Sequence, residues 1–184
     1  MRIYFDSEFT GLHKDTSLIS LGMVADNDKQ FYAEFTDYNG SQVDEWIEDN
    51  VIANLQFNGM APFKDIVGNL TLMRHNKDMI HVALASWLTQ FDTVELWSDV
   101  HHYDVVLLFD IFGHAFKVPH NVYYIPFDIA TMFKTLGLDP DMDREAFIDK
   151  PIEGVKHNSL YDAQVIQACY HKLNRNREKY LEKL

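Results

Sequence analysis

Residues 1–12 read MRIYFDSEFTGL. Ile3 and Phe5 alternate with polar or amphipathic neighbours, the two-residue period of a strand with one face in a core. Asp6 and Glu8 then follow two residues apart, so their carboxylates point to the same side of the extended chain. Thr10-Gly11 turns the chain directly afterwards. Like charges held that close repel unless something positive lies between them. This segment therefore asks for a strand end that faces a cation.

The rest of the chain supplies a frame for that strand. Ser17–Ala25 and Phe31–Phe35 read as two further strands, joined at Asn27-Asp28 by hairpin-turn chemistry. Val43–Leu55 and Asp65–Met73 read as helices, the second one short. Asp78–Phe91 has apolar residues near helical spacing at Ile80, Ala83, Leu84, Trp87 and Leu88. Thr93–Trp97 reads as a strand, Tyr103–Phe112 as a helix closed by Gly113, and Val122–Ile125 as a short buried strand. Phe127–Leu136 is a helix closed by Gly137. Leu138–Gly154 is polar, with a short helical stretch near Arg144–Ile148. Ser159–Leu173 is a helix, and the tail continues as another. An antiparallel meander followed by β-α-β crossovers gives an α/β mixed sheet flanked by helices. The first strand sits centrally beside Thr93–Trp97, and its C-terminal end meets the rim where open α/β sheets bind ligands.

Composition narrows the function. The length of 184 residues fits a single domain over 1–184. A single cysteine, Cys169, excludes an internal disulfide and suits a reducing compartment. No apolar run reaches membrane-span length, and the start lacks the pattern of a signal peptide, so the expected location is cytoplasmic. The formal net charge of −12 argues against a protein that coats nucleic acid by neutralising phosphates. It leaves room for an enzyme that grips a chain end, because bound divalent cations cancel charge locally. The tail from Lys172 to Leu184 is the exception, with Lys172, Arg175, Arg177, Lys179 and Lys183 against Glu178 and Glu182. It reads as a solvated helix end or as a nucleic-acid contact. No G-x-x-x-x-G-K-S/T loop and no zinc-type Cys/His spacing is present.

The acidic candidates are Asp6, Glu8, Asp104 and Asp162, with His157 five residues before Asp162. Spacing alone is weak: a chain with 19 Asp and 9 Glu holds about one D-x-E by chance, and this one has two. Context separates them. Asp143/Glu145 lies in a polar stretch and reads as a solvated helix start. Asp6/Glu8 follows an apolar strand and precedes a glycine turn that lets backbone approach a ligand. Each remaining residue has a plain structural role open to it. Ser159-x-x-Asp162 is a capping pattern, Asp104 can charge the first turn of its helix, and His157 can bond a loop carbonyl. It is the combination that points to a site.

FDSEFTGL at 5–12 resembles the first motif of the DEDD 3′–5′ exonucleases, the DnaQ-like branch of the ribonuclease H-like fold. KHNSLYDA at 156–163 resembles their third motif in its histidine-containing form, DEDDh. Tyr103-Asp104 heads an apolar helix between them, where the second motif belongs. The layout most resembles the small mycobacterial-type 3′–5′ exoribonucleases, also found in phages. The Asn that usually leads to the second aspartate is absent, and Asp99 within Ser98–His102 stands as a rival to Asp104. Asp110 falls mid-helix, beyond the rim. Residues 40–90 carry no matching motif.

The resemblance implies metal-assisted hydrolysis of phosphodiester bonds at the 3′ end of single-stranded RNA or DNA, with RNA favoured and nucleoside 5′-monophosphates released. Two divalent ions, Mg²⁺ or Mn²⁺, about 3.5–4 Å apart would align the attacking water, the phosphate and the leaving oxygen. Asp6 would bridge both ions, Glu8 and Asp162 would complete one, and Asp104 would support the other. His157 would act as general base, being largely neutral above its unperturbed pKa of about 6.5. The polar segment before it is placed to move and carry it. Phe9 and Leu12, flanking Thr10 and Gly11, are the expected surface for the terminal base, and the backbone N–H near Thr10 is a candidate for a ribose hydroxyl. His101-His102 diverge on any regular element, which argues against a paired-ligand role. A homodimer would lend the basic tail of one copy to the other's site. The competing expectations are a ribonuclease H-like endonuclease, a catalytically silent binding module of the same fold, and an acidic mimic of nucleic acid.

Overall fold

The computed structural model describes residues 1–182, in which seven strands form one mixed sheet. The first three are β1 (Arg2–Phe9), β2 (Leu18–Ala25) and β3 (Gln30–Phe35), the antiparallel meander expected from the sequence. Then come α1 (Glu45–Asn50), the hairpin β4 (Phe63–Val67) and β5 (Leu70–His75), and α2 (Lys77–Leu88). The parallel half is built from β6 (Glu95–Ser98), α3 (His102–Ile111), β7 (Phe127–Asp128), α4 (Ile129–Thr135) and α5 (Arg144–Phe147). The chain closes on α6 (Ser159–Arg175) and α7 (Arg177–Leu181). Strand order is β4-β5-β3-β2-β1-β6-β7, with β1 parallel to β6 as expected.

Four local expectations are corrected, the first being that the helix read over Phe127–Leu136 begins only at Ile129, after strand β7 at Phe127–Asp128. Asp65–Met73 is not a helix but the turn and arms of the β4–β5 hairpin. Val67 pairs with Leu70 across Gly68-Asn69, and Gly68 takes φ +60°, a conformation suited to a two-residue hairpin turn. A short apolar run fits either period, and this turn decides it. Val43–Leu55 is broken: Asp44 caps α1 by accepting from the Ile47 N–H, and Ile52–Asn54 forms a separate 3₁₀ turn. Val122–Ile125 is not a buried strand. Only Val122 bridges, to Val94, while Tyr123, Tyr124 and Ile125 are 45%, 70% and 40% exposed. Pro119 and Pro126 flank this stretch and offer no N–H to a ladder, so regular pairing resumes only at Phe127.

Side chains alternate across the sheet into two cores. Ile3 and Phe5 face α2 and α3, packing with Leu84, Leu107 and Leu108. Tyr4 faces the other layer, with Ile129, Phe133 and the apolar stripe of α6. Two bonded partners across β1 and β2 then decide what α6 can do. Gly22 lies opposite Asp6, and Ser20 lies opposite Glu8. A Cβ on Gly22 would meet the Ser159 carbonyl and the Leu160 nitrogen at 2.3 Å, so only a bare backbone lets the first turn of α6 come down there. The buried Ser20 and Ser159 hydroxyls share a hydrogen bond of 3.0 Å at the same contact. Among the described residues no helix is long and apolar enough to cross a membrane.

Gly22→Ala is expected to destabilise the fold by about 3 kcal/mol, because the clash is with helix backbone, which cannot rotate away. Urea unfolding monitored by circular dichroism checks this. An unchanged midpoint would mean that α6 lifts freely from the sheet.

Candidate active site

β1 and α6 bring the acidic residues together. Asp6 and Glu8 continue the Tyr4 face of β1, under the helix layer that holds α6. Asp162, the fourth residue of α6, reaches back and accepts the His157 N–H at 2.8 Å. The expected capping role of Ser159 falls instead to Asn158, whose side chain accepts from the Tyr161 N–H. One ligand atom each from Glu8, His157 and Asp162 lies within 4.8 Å of the other two. His157 Nδ1 is 3.8 Å from Glu8 Oε1. His157 takes φ +65°, uncommon for a residue with a side chain, and its ring meets the Trp46 indole edge-on at 5.1 Å between centroids.

Asp104 arrives from the other side. β6 pairs with β1 only at Arg2–Tyr4, so the upper edge of β1 is open. Asp104, in the first turn of α3, fills it: Oδ1 accepts from the Ser7 N–H at 3.0 Å and from the Ser7 hydroxyl at 2.6 Å. Its rival Asp99 is otherwise engaged, with Oδ2 and Oδ1 accepting from Arg144 Nε and Nη2 at 2.8 and 3.0 Å. Arg144 also donates to the Pro140 and Met142 carbonyls and lies 4.3 Å over the Phe133 ring.

These residues line an open cavity of about 570 Å³. Its far wall is the 140–145 segment, which the sequence had suggested was merely solvated. Asp143 does cap α5, but Glu145 accepts the Tyr161 hydroxyl and faces the cavity. Arg144 carried no signal in sequence, because its partner is 45 residues away. The segment expected to move is tied to α6 at Phe147 and Asp149. Lys172 donates to the Phe147 carbonyl at 2.6 Å, and Lys172 and Arg175 both pair with Asp149. Those two cations of the basic tail are therefore spent within the chain, and Lys183 lies outside the described residues.

The expected substrate-binding stretch divides. Phe9 lines the cavity and stacks on Tyr103 at 5.3 Å, whereas Leu12 is exposed beyond the cavity lining. Thr10 is buried and structural: its hydroxyl donates to Gln42 Oε1 and accepts from the Ser17 N–H. Its backbone N–H donates to the Ser17 carbonyl at 3.0 Å, which corrects the idea of a free donor there for ribose. Gly11, at φ +145°, serves the turn.

Burial, then the charges of Asp104, Glu8, Asp162 and Asp99, holds the Asp6 carboxyl well above its ordinary range. Burial and the Asp162 and Asp104 charges push Glu8 up to about 8. Burial lifts Asp162 to about 7 although the His157 N–H and Lys156 oppose it, and burial also raises Asp104. Burial and Lys156 lower His157, which keeps the ring neutral near pH 7. Four carboxylates sharing one cavity must hold protons or a cation. The carboxylate oxygens are the donors that a hard divalent ion such as Mg²⁺ or Mn²⁺ takes.

A 3′–5′ exoribonuclease from Mycobacterium tuberculosis strain H37Rv, Rv2179c, is 27% identical over 124 residues, which is 66% of this chain and 67% of that protein. Its counterpart in strain CDC 1551 / Oshkosh matches equally. The fold superposes on the Neurospora crassa Pan2 catalytic unit, which comprises a protease and a nuclease domain. The TM-score is 0.56 at 13% identity, over 99% of this chain, which spans 28% of that one. The family of the 3′–5′ exoribonuclease Rv2179c-like domain matches residues 1–173, and the chain belongs to it, an enzyme of the nucleic-acid phosphodiester-hydrolysing class.

Proposed function

We propose that residues 1–184 form a single exonuclease domain that removes nucleoside 5′-monophosphates from the 3′ end of single-stranded nucleic acid, RNA in preference to DNA. The observation that carries this reading is the convergence of Glu8, His157 and Asp162 within 4.8 Å, beside Asp6 and opposite Asp104. The names of the mycobacterial relatives support the choice of RNA and of the 3′ end.

Asp6, Glu8, Asp104 and Asp162 would hold two divalent ions. When bound, these supply charge neutralisation around the phosphate and lower the pKa of the attacking water. Glu8 and Asp162 would hold one ion and Asp104 would support the other, with Asp6 contributing to both. His157 accepts the proton of the attacking water at a ring nitrogen, which its lowered pKa leaves free. The water oxygen bonds to phosphorus, the bond from phosphorus to the 3′ oxygen breaks, and that oxygen takes a proton as the new chain end. Phe9, already stacked on Tyr103, offers an apolar surface for the terminal base, and Leu12 offers one at the lip.

Denaturing gels of 5′-labelled single-stranded RNA and DNA with Mn²⁺ test the reading. Wild type should shorten RNA stepwise from the 3′ end and leave circular strands intact, and Asp6→Ala should abolish the ladder. A folded wild type that cuts neither strand would overturn the proposal in favour of a silent binding module. Internal cutting of circles would favour an endonuclease. In the same assay Asp104→Asn should lower kcat by about 10²-fold or more, and Asp99→Asn by less, since Asp99 acts through Arg144. Equal losses would reverse that assignment.

The acidic site also predicts the pH dependence of the metal-free protein. Glu8 at about 8 and Asp162 at about 7 lie above their unfolded values near 4. The stability that these protonated groups contribute is present below about pH 4 and lost as the pH rises through about 7 to 8. With EDTA, the Tm of wild type should therefore fall relative to Glu8→Gln between about pH 4 and about pH 8, and Mn²⁺ should restore it. A Tm difference that ignores pH would contradict the electrostatic picture.

A further inference from the structure

The mechanism uses none of the polar groups buried between the sheet and the His157 turn. On β3, Tyr32 and Glu34 project from the same face and are 0% and 1% exposed. The Tyr32 hydroxyl donates to Glu34 Oε1 at 2.8 Å, and the Phe57 N–H donates to the same oxygen at 3.0 Å. Glu34 Oε2 faces Arg74 Nε at 3.9 Å. At the other end, the Tyr32 hydroxyl accepts from Asn158 Nδ2 at 3.3 Å. Asn158 Nδ2 also donates to the Asn54 carbonyl at 3.2 Å, and Asn54 Nδ2 donates to the Lys156 carbonyl at 3.0 Å. The Asn158 N–H closes the turn onto the Val155 carbonyl. His157, in its left-handed conformation, is thus gripped on both flanks by groups whose hydrogen bonds lead back to a buried carboxylate. Burying a carboxylate is costly unless its bonds are put to use. Helix capping alone does not require this chain, because it uses only Asn158 Oδ1.

We propose that Glu34, Tyr32 and Asn158 form a buried relay that positions His157, holding its strained turn over Glu8 and Asp162. These are positioning residues that act through His157. The inference rests on the reading of His157 as the general base, and its test separates the two.

Asn158→Ser keeps a capping hydroxyl but loses the amide donor, and Tyr32→Phe removes the hydroxyl that links both halves. Each variant should retain the wild-type circular dichroism spectrum. Each should lower kcat about tenfold with KM within about twofold, the signature of a misplaced reacting group rather than weakened substrate binding. The double variant should lose no more than the worse single one, since both cut one chain of bonds. Amide hydrogen exchange of the peptide spanning residues 154–161 supplies a readout free of catalysis. Exchange there should quicken by about fivefold or more in both variants while β1 and β2 peptides stay at wild-type rates. Wild-type exchange in 154–161, or a wild-type kcat in Asn158→Ser, would overturn the relay. An inactive wild type would overturn the exonuclease reading instead, and the exchange rates would then decide the relay by themselves.

Discussion

The close approach of α6 to Gly22 is the constraint on which the site depends. The carboxylates of β1 become part of a group that could hold a metal ion only when Asp162 is brought to Glu8 from 154 residues further along the chain. Asp162 sits one turn into a helix whose first residue touches the sheet backbone. Any side chain at Gly22 would raise that helix and open the cluster. The Ser20–Ser159 hydrogen bond locks the same point from the next register position. Packing at one backbone contact thus sets the distance between charges that would otherwise keep apart.

That arrangement is stabilised from outside itself. Four carboxylates around one cavity disfavour the metal-free fold, and their raised pKa values express that cost. The two apolar cores, one on each face of β1, offset it by placing Ile3, Phe5 and Tyr4 beyond the reach of water. The rim has its own braces. Arg144 ties Asp99 to the segment that forms the far wall, and Lys172 and Arg175 tie α6 to Asp149. Three cations of this acidic chain are thus paired with carboxylates at and behind the cavity wall.

Much of the frame was legible in sequence because it rests on local periodicity. The meander, α2, α3 with its Gly113 stop and α6 all follow from apolar spacing and turn residues. The β4–β5 hairpin is hidden in the sequence because a short run of this kind suits either period, and only the Gly68-Asn69 turn marks it. The exposed Tyr123-Tyr124 stretch has the composition of a strand, but its flanking prolines deny it a ladder. Gly22 was the overlooked signal: a glycine inside an apolar strand marks close backbone approach. Arg144, Trp46 and the Tyr32–Asn158 bond had no local signature, since each depends on a partner far away in the chain.

By itself, the sequence determined the fold class and the residue types of the site. Asp6, Glu8, His157 and Asp162 stand out because strand alternation and helix starts are written in neighbouring residues. Only the tertiary structure shows that Asp99 is held by Arg144 while Asp104 bonds Ser7 on β1. It likewise decided that the Thr10 N–H is consumed by Ser17 and that His157 is held in a left-handed turn. Those outcomes turn on which distant group reaches a given atom first. A hydrogen bond forms over about 3 Å of space whatever the separation along the chain, so periodicity carries no record of it.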